Sequence, residues 1–121
     1  VTYIAIDGDD IGRRITNCYL TNDSEGLTLF ANKVQKSVVL ISELLRKRGY
    51  TVIFCAADGV VGRADVSIRD VNSIYKAIEE IGGAELTFSA GVGETLRESY
   101  VALLSAKSSG KARMCIYGEM D

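Results

Sequence analysis

A chain of 121 residues that is 47 % hydrophobic and 25 % charged is long enough for one domain with a real core and too short for two. Its net charge of −2 argues against a protein whose main task is coating nucleic acid, so no DNA partner is expected. With no histidine, the chain excludes His-based triads, His-ligated zinc sites and the zinc deaminase pattern.

Val1 leads straight into a first strand over residues 2–7, so an initiator methionine or an upstream segment is expected ahead of it. The apolar run Tyr3-Ile4-Ala5-Ile6 ends in Asp7-Gly8-Asp9-Asp10-Ile11-Gly12, where glycines let the backbone turn tightly. Asp10 to Leu20 makes a short helix or a structured loop, broken at Thr21-Asn22-Asp23-Ser24. From Leu27 to Arg48, Phe30, Val34, Val38, Ile41, Leu44 and Leu45 keep the helical period, and Gly49 closes the helix. Thr51 to Cys55 reads as a strand, and Gly59 to Arg63 resumes the apolar character, so Asp58-Gly59 signals a hairpin. Ser67-Ile68-Arg69-Asp70 resembles a capping box opening a second long helix that ends at Gly82-Gly83. Leu86 to Val92 is a further strand. Thr95-Leu96-Arg97-Glu98 fits a capping box for a last helix, with Leu96, Tyr100, Leu103 and Leu104 expected to face inward. After the break at Ser108-Ser109-Gly110, Arg113 to Tyr117 reads as a final strand.

Three cysteines (Cys18, Cys55, Cys115) form no CxxC, and an odd number fits a reducing cytoplasm better than a disulfide frame. Cys55 and Cys115 fall in strand-like runs and read as small core hydrophobes. No apolar run approaches the ~20 residues of a membrane span and no signal peptide is visible, so a cytoplasmic chain with no membrane partner is expected.

Three carboxylates in four residues at a strand end repel one another, each pair by roughly 4 kcal/mol at ~4 Å and an effective dielectric of about 20. A hard cation such as Mg²⁺ benefits from that arrangement and folding does not. Asp58, delivered to a turn by a second apolar strand, supplies the partner acid. Turn punctuation by Asp and Gly explains either segment alone; the two together point to a metal site shared by two strands. The element order β-α-β-β-α-β has the split βαβ, ferredoxin-like arrangement, extended by a C-terminal α-β. It predicts an α/β (α+β) fold, a sheet with its helices on one face, in which the end of the first strand meets the Asp58 hairpin.

An acid after strand one and another in the second hairpin of such a palm resemble the nucleotidyl transferase and cyclase superfamily. Within it, the chain resembles the GGDEF diguanylate cyclases and the palm of the large type III CRISPR effector subunit. The short Asp7-Gly8-Asp9-Asp10-Ile11-Gly12 start is most similar to the stand-alone minimal CRISPR polymerase (mCpol) domain. Ala56-Ala57-Asp58-Gly59-Val60 occupies the place of the GGDEF turn, Ser89-Ala90-Gly91-Val92 resembles the strand before the last GGDEF helix, and Ala106-Lys107-Ser108-Ser109-Gly110-Lys111 resembles their Ala-Lys-x-x-Gly-Arg.

The resemblance implies one palm domain over residues 1–121, with two Mg²⁺ (or Mn²⁺) ions per site. Asp7 and Asp58 match the metal-binding acids, and Gly8 the residue whose carbonyl joins them. Asp10, Ile11 and Gly12, with Arg13 beside them, lie where N–H groups cradle nucleotide phosphates. Lys107 and Lys111 match the pair that grips the terminal phosphates, and Ala57 borders the nucleotide over the hairpin. Lys107 also continues the expected inward stripe of its helix; snorkelling at a helix end is the alternative. Gly59 stands where relatives carry a second acid, and Asp9 or Asp10 is expected to compensate as a ligand. The guanine-reading positions fall at Ile15 and Ser24, so ATP is favoured over GTP. The implied activity joins NTPs into a cyclic di- or oligonucleotide second messenger for antiphage defence. Its implied partners are a second copy, in a homodimer or higher oligomer, and a separate effector that reads the product.

Three rivals remain. A phosphoacceptor receiver domain shares the length, the acids and a conspicuous lysine, but its Asp would follow a third strand. An RNA-binding module would need exposed stacking aromatics, and Tyr3, Phe54, Phe88 and Tyr117 are scattered. A degenerate palm that binds a nucleotide without turning it over accounts for Gly59 and the alanines.

Overall fold

The computed structural model describes residues 1–68 and 70–120. Its elements are β1 (Thr2–Gly8), α1 (Ile11–Leu20), α2 (Ser24–Lys47), β2 (Thr51–Ala56), β3 (Gly59–Ala64), α3 (Val71–Gly82), β4 (Phe88–Gly93), α4 (Leu96–Ser108), β5 (Met114–Ile116) and a 3₁₀ turn over Tyr117–Glu119. The ambiguous stretch after Asp10 is a helix. The strands form one sheet in the order β2-β3-β1-β4-β5, antiparallel except for the β4–β5 pair. The mixed α/β palm expected from the sequence is the fold observed.

Alternation along the strands divides the molecule. Ile4 and Ile6 of β1, Val60 of β3 and Phe88, Ala90 and Val92 of β4 point to one face. There they meet Val34, Val38, Ile41 and Leu45 of α2 and Val71, Ile74 and Ile78 of α3. This is the core, and burying each such side chain stabilises the fold by about 1.5–3 kcal/mol.

The opposite face holds α4, which corrects the expectation that all helices share one face. A Cβ at Gly91 would run into the Leu103 amide nitrogen and the Ser99 carbonyl oxygen, and one at Gly93 into Glu98. The helix backbone lies directly on those glycines, so only small or slim residues fit the seam. Ser99, Ala102, Leu103 and Ala106 are buried there, whereas Leu96, Tyr100 and Leu104 are exposed. The inward stripe read from hydropathy was therefore rotated, Leu103 excepted. Thr95 does cap α4 by accepting from the Glu98 amide, but the Glu98 carboxylate takes the Glu94 amide rather than that of Thr95.

Two smaller expectations fail. The capping box at Ser67–Asp70 is displaced: α3 starts at Val71, and Asp70 precedes it in the left-handed region with no side-chain cap. Arg69 of that motif lies outside the described residues. Cys55 is exposed rather than buried, because β2 is an edge strand with little covering it.

Ala57 in the β2–β3 turn has φ 52°, where a Cβ is crowded by its own carbonyl. Replacing Ala57 by Gly is expected to stabilise the protein by about 1 kcal/mol, read as a higher urea midpoint at unchanged slope. A lower midpoint would mean that the turn is not strained.

Candidate active site

Sheet register assembles the site. Asp7 pairs with Gly59 on one side and Ser89 on the other, which brings Asp58, one residue before Gly59, to the same sheet edge. The Gly8 amide donates to the Asp58 carbonyl at 2.9 Å and closes that edge. A Cβ at Gly8 would lie 2.8 Å from the Ile11 side chain and 3.3 Å from the Asp58 Cβ, so only glycine lets the hairpin approach β1 this closely.

The carboxyl of Asp7 is held above the usual carboxylate range, first by burial and then by the Asp58 charge, which together outweigh the pull of Lys107. The Asp58 charge beside it is thus unfavourable to the ionised form of Asp7. Asp9 behaves oppositely. It is buried, its Oδ1 accepts from Ser89 Oγ (2.7 Å) and Lys107 Nζ (2.8 Å), and its Oδ2 accepts from Thr87 Oγ1 (2.8 Å) and the Ala112 amide (3.0 Å). Burial alone would raise its pKa, but these hydrogen bonds prevail and lower it. An acid with four protein donors has little left for a cation. Asp9, expected as a compensating ligand, instead ties β1 to β4, α4 and the loop after α4. Thr87 and Ser89 were missed by sequence reasoning, although their i, i+2 spacing on a strand beside the acid motif was a signal.

Lys107 enters the same cluster. Its Nζ donates to the Gly8 carbonyl (2.7 Å), approaches the Asp7 carbonyl (3.5 Å) and Asp7 Oδ2 (3.3 Å), and pairs with Asp9. It extends into the acids and does not snorkel to solvent. Lys111 pairs with Asp10 at 2.5 Å, and that bond, more than any other cause, lowers the Asp10 pKa. Both lysines attributed to the triphosphate are therefore within reach of the first motif.

Asp10 precedes α1 in the left-handed region and gives no side-chain cap, so the first-turn N–H groups of Ile11, Gly12 and Arg13 are unspent by the helix itself. Beside them a pocket of about 500 Å³ opens between α1 and α2. Ile11, Gly12 and Ile15 line it from α1, Ala31, Val34 and Gln35 from α2, and Ala57 and Asp58 from the β2–β3 turn. Gly12 has ordinary helical backbone, and a Cβ there would meet nothing within 4 Å. Neither conformation nor packing demands glycine at that position; without a side chain it leaves open space on the α1 side of the pocket. Of the two guanine-reading positions, Ile15 lines this pocket with an apolar side chain and Ser24 does not line it.

Residues 3–117 match the minimal CRISPR polymerase domain (mCpol). The chain belongs to the mCpol family. The fold is shared with cyclase domains of low sequence identity. An active GGEEF domain of a diguanylate cyclase from Vibrio cholerae is 18 % identical, with a TM-score of 0.70 over 96 % of this chain and 81 % of that one. The GGDEF domain of DgcB from Caulobacter crescentus, solved with c-di-GMP, is 13 % identical, with a TM-score of 0.66 over 98 % and 78 %. An EAL/GGDEF domain protein from M. capsulatus is 19 % identical, with a TM-score of 0.65 over 96 % and 83 %. No curated protein matches the chain. Family and fold together make the mCpol chain a nucleotide cyclase or polymerase palm, of the nucleotidyltransferase kind. Among its described residues no helix is long and apolar enough to cross a membrane.

Palms of this type generally use divalent metal ions, and the donors present suit one. Asp7, Asp58 and the Gly8 carbonyl are hard oxygen groups, the last with one lone pair left beside its bond from Lys107, and a cation would relieve the repulsion between Asp7 and Asp58. Among the described residues no group of three or more acidic, Cys or His side chains is disposed to hold a metal. That is compatible with Mg²⁺, which binds through one or two carboxylates and completes its shell with phosphate oxygens and water.

Proposed function

We propose that this domain is a metal-dependent nucleotide cyclase that joins nucleoside triphosphates, ATP favoured, into a cyclic di- or oligonucleotide with release of pyrophosphate. The observation that carries the reading is that Asp7 and Asp58 meet at one sheet edge, with Asp58 also lining the pocket between α1 and α2. In the reaction a ribose hydroxyl loses its proton to water, its oxygen bonds to an α-phosphorus, the bond from that phosphorus to the oxygen bridging to the β-phosphorus breaks, and pyrophosphate leaves with the electron pair. Magnesium or manganese held by Asp7, Asp58 and Gly8 would supply Lewis acidity at the phosphate and lower the pKa of the attacking hydroxyl. Two such ions per site are proposed.

The chain's own groups position and neutralise. N–H donors of the first turn of α1, after Asp10, take phosphate oxygens, aided by the dipole of a ten-residue helix. Lys107 and Lys111 hold positive charge beside the acids, with Arg13 exposed at the same helix start to meet the triphosphate tail. Catalysis by placement and fixed charge suits a chain without a histidine base. A second copy facing this one would present the second nucleotide. Membership of the mCpol family supports a role in antiphage signalling through a separate effector. Gly59, in place of a second hairpin acid, favours the alternative of a palm that binds nucleotide without turnover.

Incubation with each labelled NTP and Mg²⁺ or Mn²⁺, with products resolved by chromatography, tests the reading. The expected result is a cyclic product and pyrophosphate from ATP. Binding without product would establish the degenerate palm. Gly12→Leu serves as the paired variant: it sets a large side chain on the lining of the pocket and gains helix propensity of up to about 1 kcal/mol. Nucleotide binding and product are expected to vanish while Tm stays the same or rises. Undiminished binding by Gly12→Leu would remove the pocket from the reading.

A further inference from the structure

We infer that the groove between β2 and α4 is a second base-binding subsite, which takes the base of the nucleotide that supplies the attacking hydroxyl; this rests on the nucleotide reading above. The two acids line different cavities. Asp58 lines the pocket between α1 and α2, whereas Asp7 lines a groove of about 290 Å³ beside α4, on the other face of the sheet. A phosphate held from the pocket and a hydroxyl held from the groove would meet at the acid pair from opposite sides.

The chemistry of the groove suits a base. Val61 of β3 contributes an apolar surface, and Phe54 of β2 with Tyr100 and Leu104 of α4 line it from either side. Phe54 is 53 % exposed and Tyr100 58 %, so both rings keep aromatic surface open to a ligand. A base stacks on such a surface whatever its identity. The charged side chains lining the groove are Asp7 and Lys107. An apolar side chain from a protein partner would strip water from that pair and return nothing, whereas a ribose returns hydroxyl contacts. Gly59 keeps the way between rings and acid open. Its φ is not in the left-handed region, so conformation does not demand glycine there. A Cβ at Gly59 would touch Asp7 Oδ1 at 3.4 Å and the Phe54 ring at 3.7 Å, and a longer side chain would start out between the two. The volume lies just below the ~300–1,000 Å³ of small-molecule sites. The groove therefore takes a ring system and leaves the triphosphate outside, where the facing copy would cover it.

The test is equilibrium dialysis of each of the four radiolabelled α,β-methylene nucleoside triphosphates with Mg²⁺, up to millimolar ligand. Wild type is expected to take up two molecules of an accepted analogue per chain, one in the pocket and one in the groove. The Phe54→Ala/Tyr100→Ala double variant should take up one, with pocket and tripolyphosphate affinities within ~2-fold of wild type. Both rings are exposed, so the variant is expected to keep the wild-type Tm. Phe54→Tyr combined with Tyr100→Phe keeps both aromatic faces and should bind two molecules. In turnover, each ring removed should raise the NTP concentration at half-maximal rate about 10-fold and leave the maximal rate unchanged. A wild type that takes up one molecule, or a double variant that takes up any number but one, overturns this inference alone and leaves the nucleotide reading standing. A double variant that falls from dimer to monomer in sedimentation, with uptake unchanged, assigns the rings to an interface between copies and overturns it as well. A wild type that takes up no analogue overturns both.

Discussion

Replacing Asp58 by Asn is expected to lower turnover by about 10²- to 10³-fold, the loss typical of removing one electrostatic group from a reacting centre. The same change should leave the chelated protein as stable as before or more so. Asp7 is raised above its ordinary value of 3.8 by burial and by Asp58, so the metal-free fold favours the protonated form. The stability this group contributes is complete below pH 3.8 and is lost as pH rises through the raised value. At neutral pH, without a divalent ion, the two charges therefore oppose folding, and Asp58→Asn removes one of them. In chelator, the variant's urea midpoint should exceed wild type at pH 7 and converge with it in acid. Added Mg²⁺ with nucleotide should raise the midpoint of wild type more than that of the variant. Wild-type turnover by Asp58→Asn would end the two-acid account.

Asp9→Asn should behave in the opposite way, with a destabilisation of about 3 kcal/mol, the lower end of what breaking a buried ion pair costs because Lys107 keeps some solvent. The amide would set an NH₂ against donors from Lys107, Ser89, Thr87 or Ala112, whichever way it is turned. The depressed Asp9 pKa gives a second signature. Its stability is fully present above pH 3.8 and is lost as pH falls through the depressed value, so the gap between wild type and variant should narrow in strong acid. Denaturant melts at neutral and acid pH measure both. A variant as stable as wild type at pH 7 would mean that the four donors find water instead, and that Asp9 does not tie the strands together.

The palm was legible because its evidence is periodic. The apolar run from Tyr3 to Ile6 marked a buried strand, and helical spacing from Phe30 to Leu45 marked the long face of α2. The meeting of Asp7 with Asp58 followed from topology alone. What hydropathy could not supply was the orientation of α4. Ser99, Ala102 and Ala106 are barely hydrophobic, and what buries them is the missing Cβ of Gly91 and Gly93 on another element. Leu96, Tyr100 and Leu104 looked like core because apolarity was the only signal, and an exposed apolar ridge has the same signal. The fate of Asp9 was hidden for a related reason: its partners are two hydroxyls, a backbone amide and a lysine, all far away in sequence, and the lysine reads in sequence as a triphosphate contact instead.

The ties that hold the acid motif have a kinetic consequence. Asp9 reaches Lys107 across 98 positions and the Ala112 amide across 103, while Asp10 reaches Lys111 across 101. Closing loops of that length is entropically unfavourable, and contacts of such separation form late. During synthesis the hairpin, α2 and α3 can pack around β1 while the acids are still without their lysines. A ribosome-bound chain stalled before residue 107 would therefore carry the charge repulsion of the site with none of its compensation. Nucleotide should bind only after the segment from Lys107 to Ala112 has emerged and docked, so the acids spend most of translation as a liability of the folding intermediate.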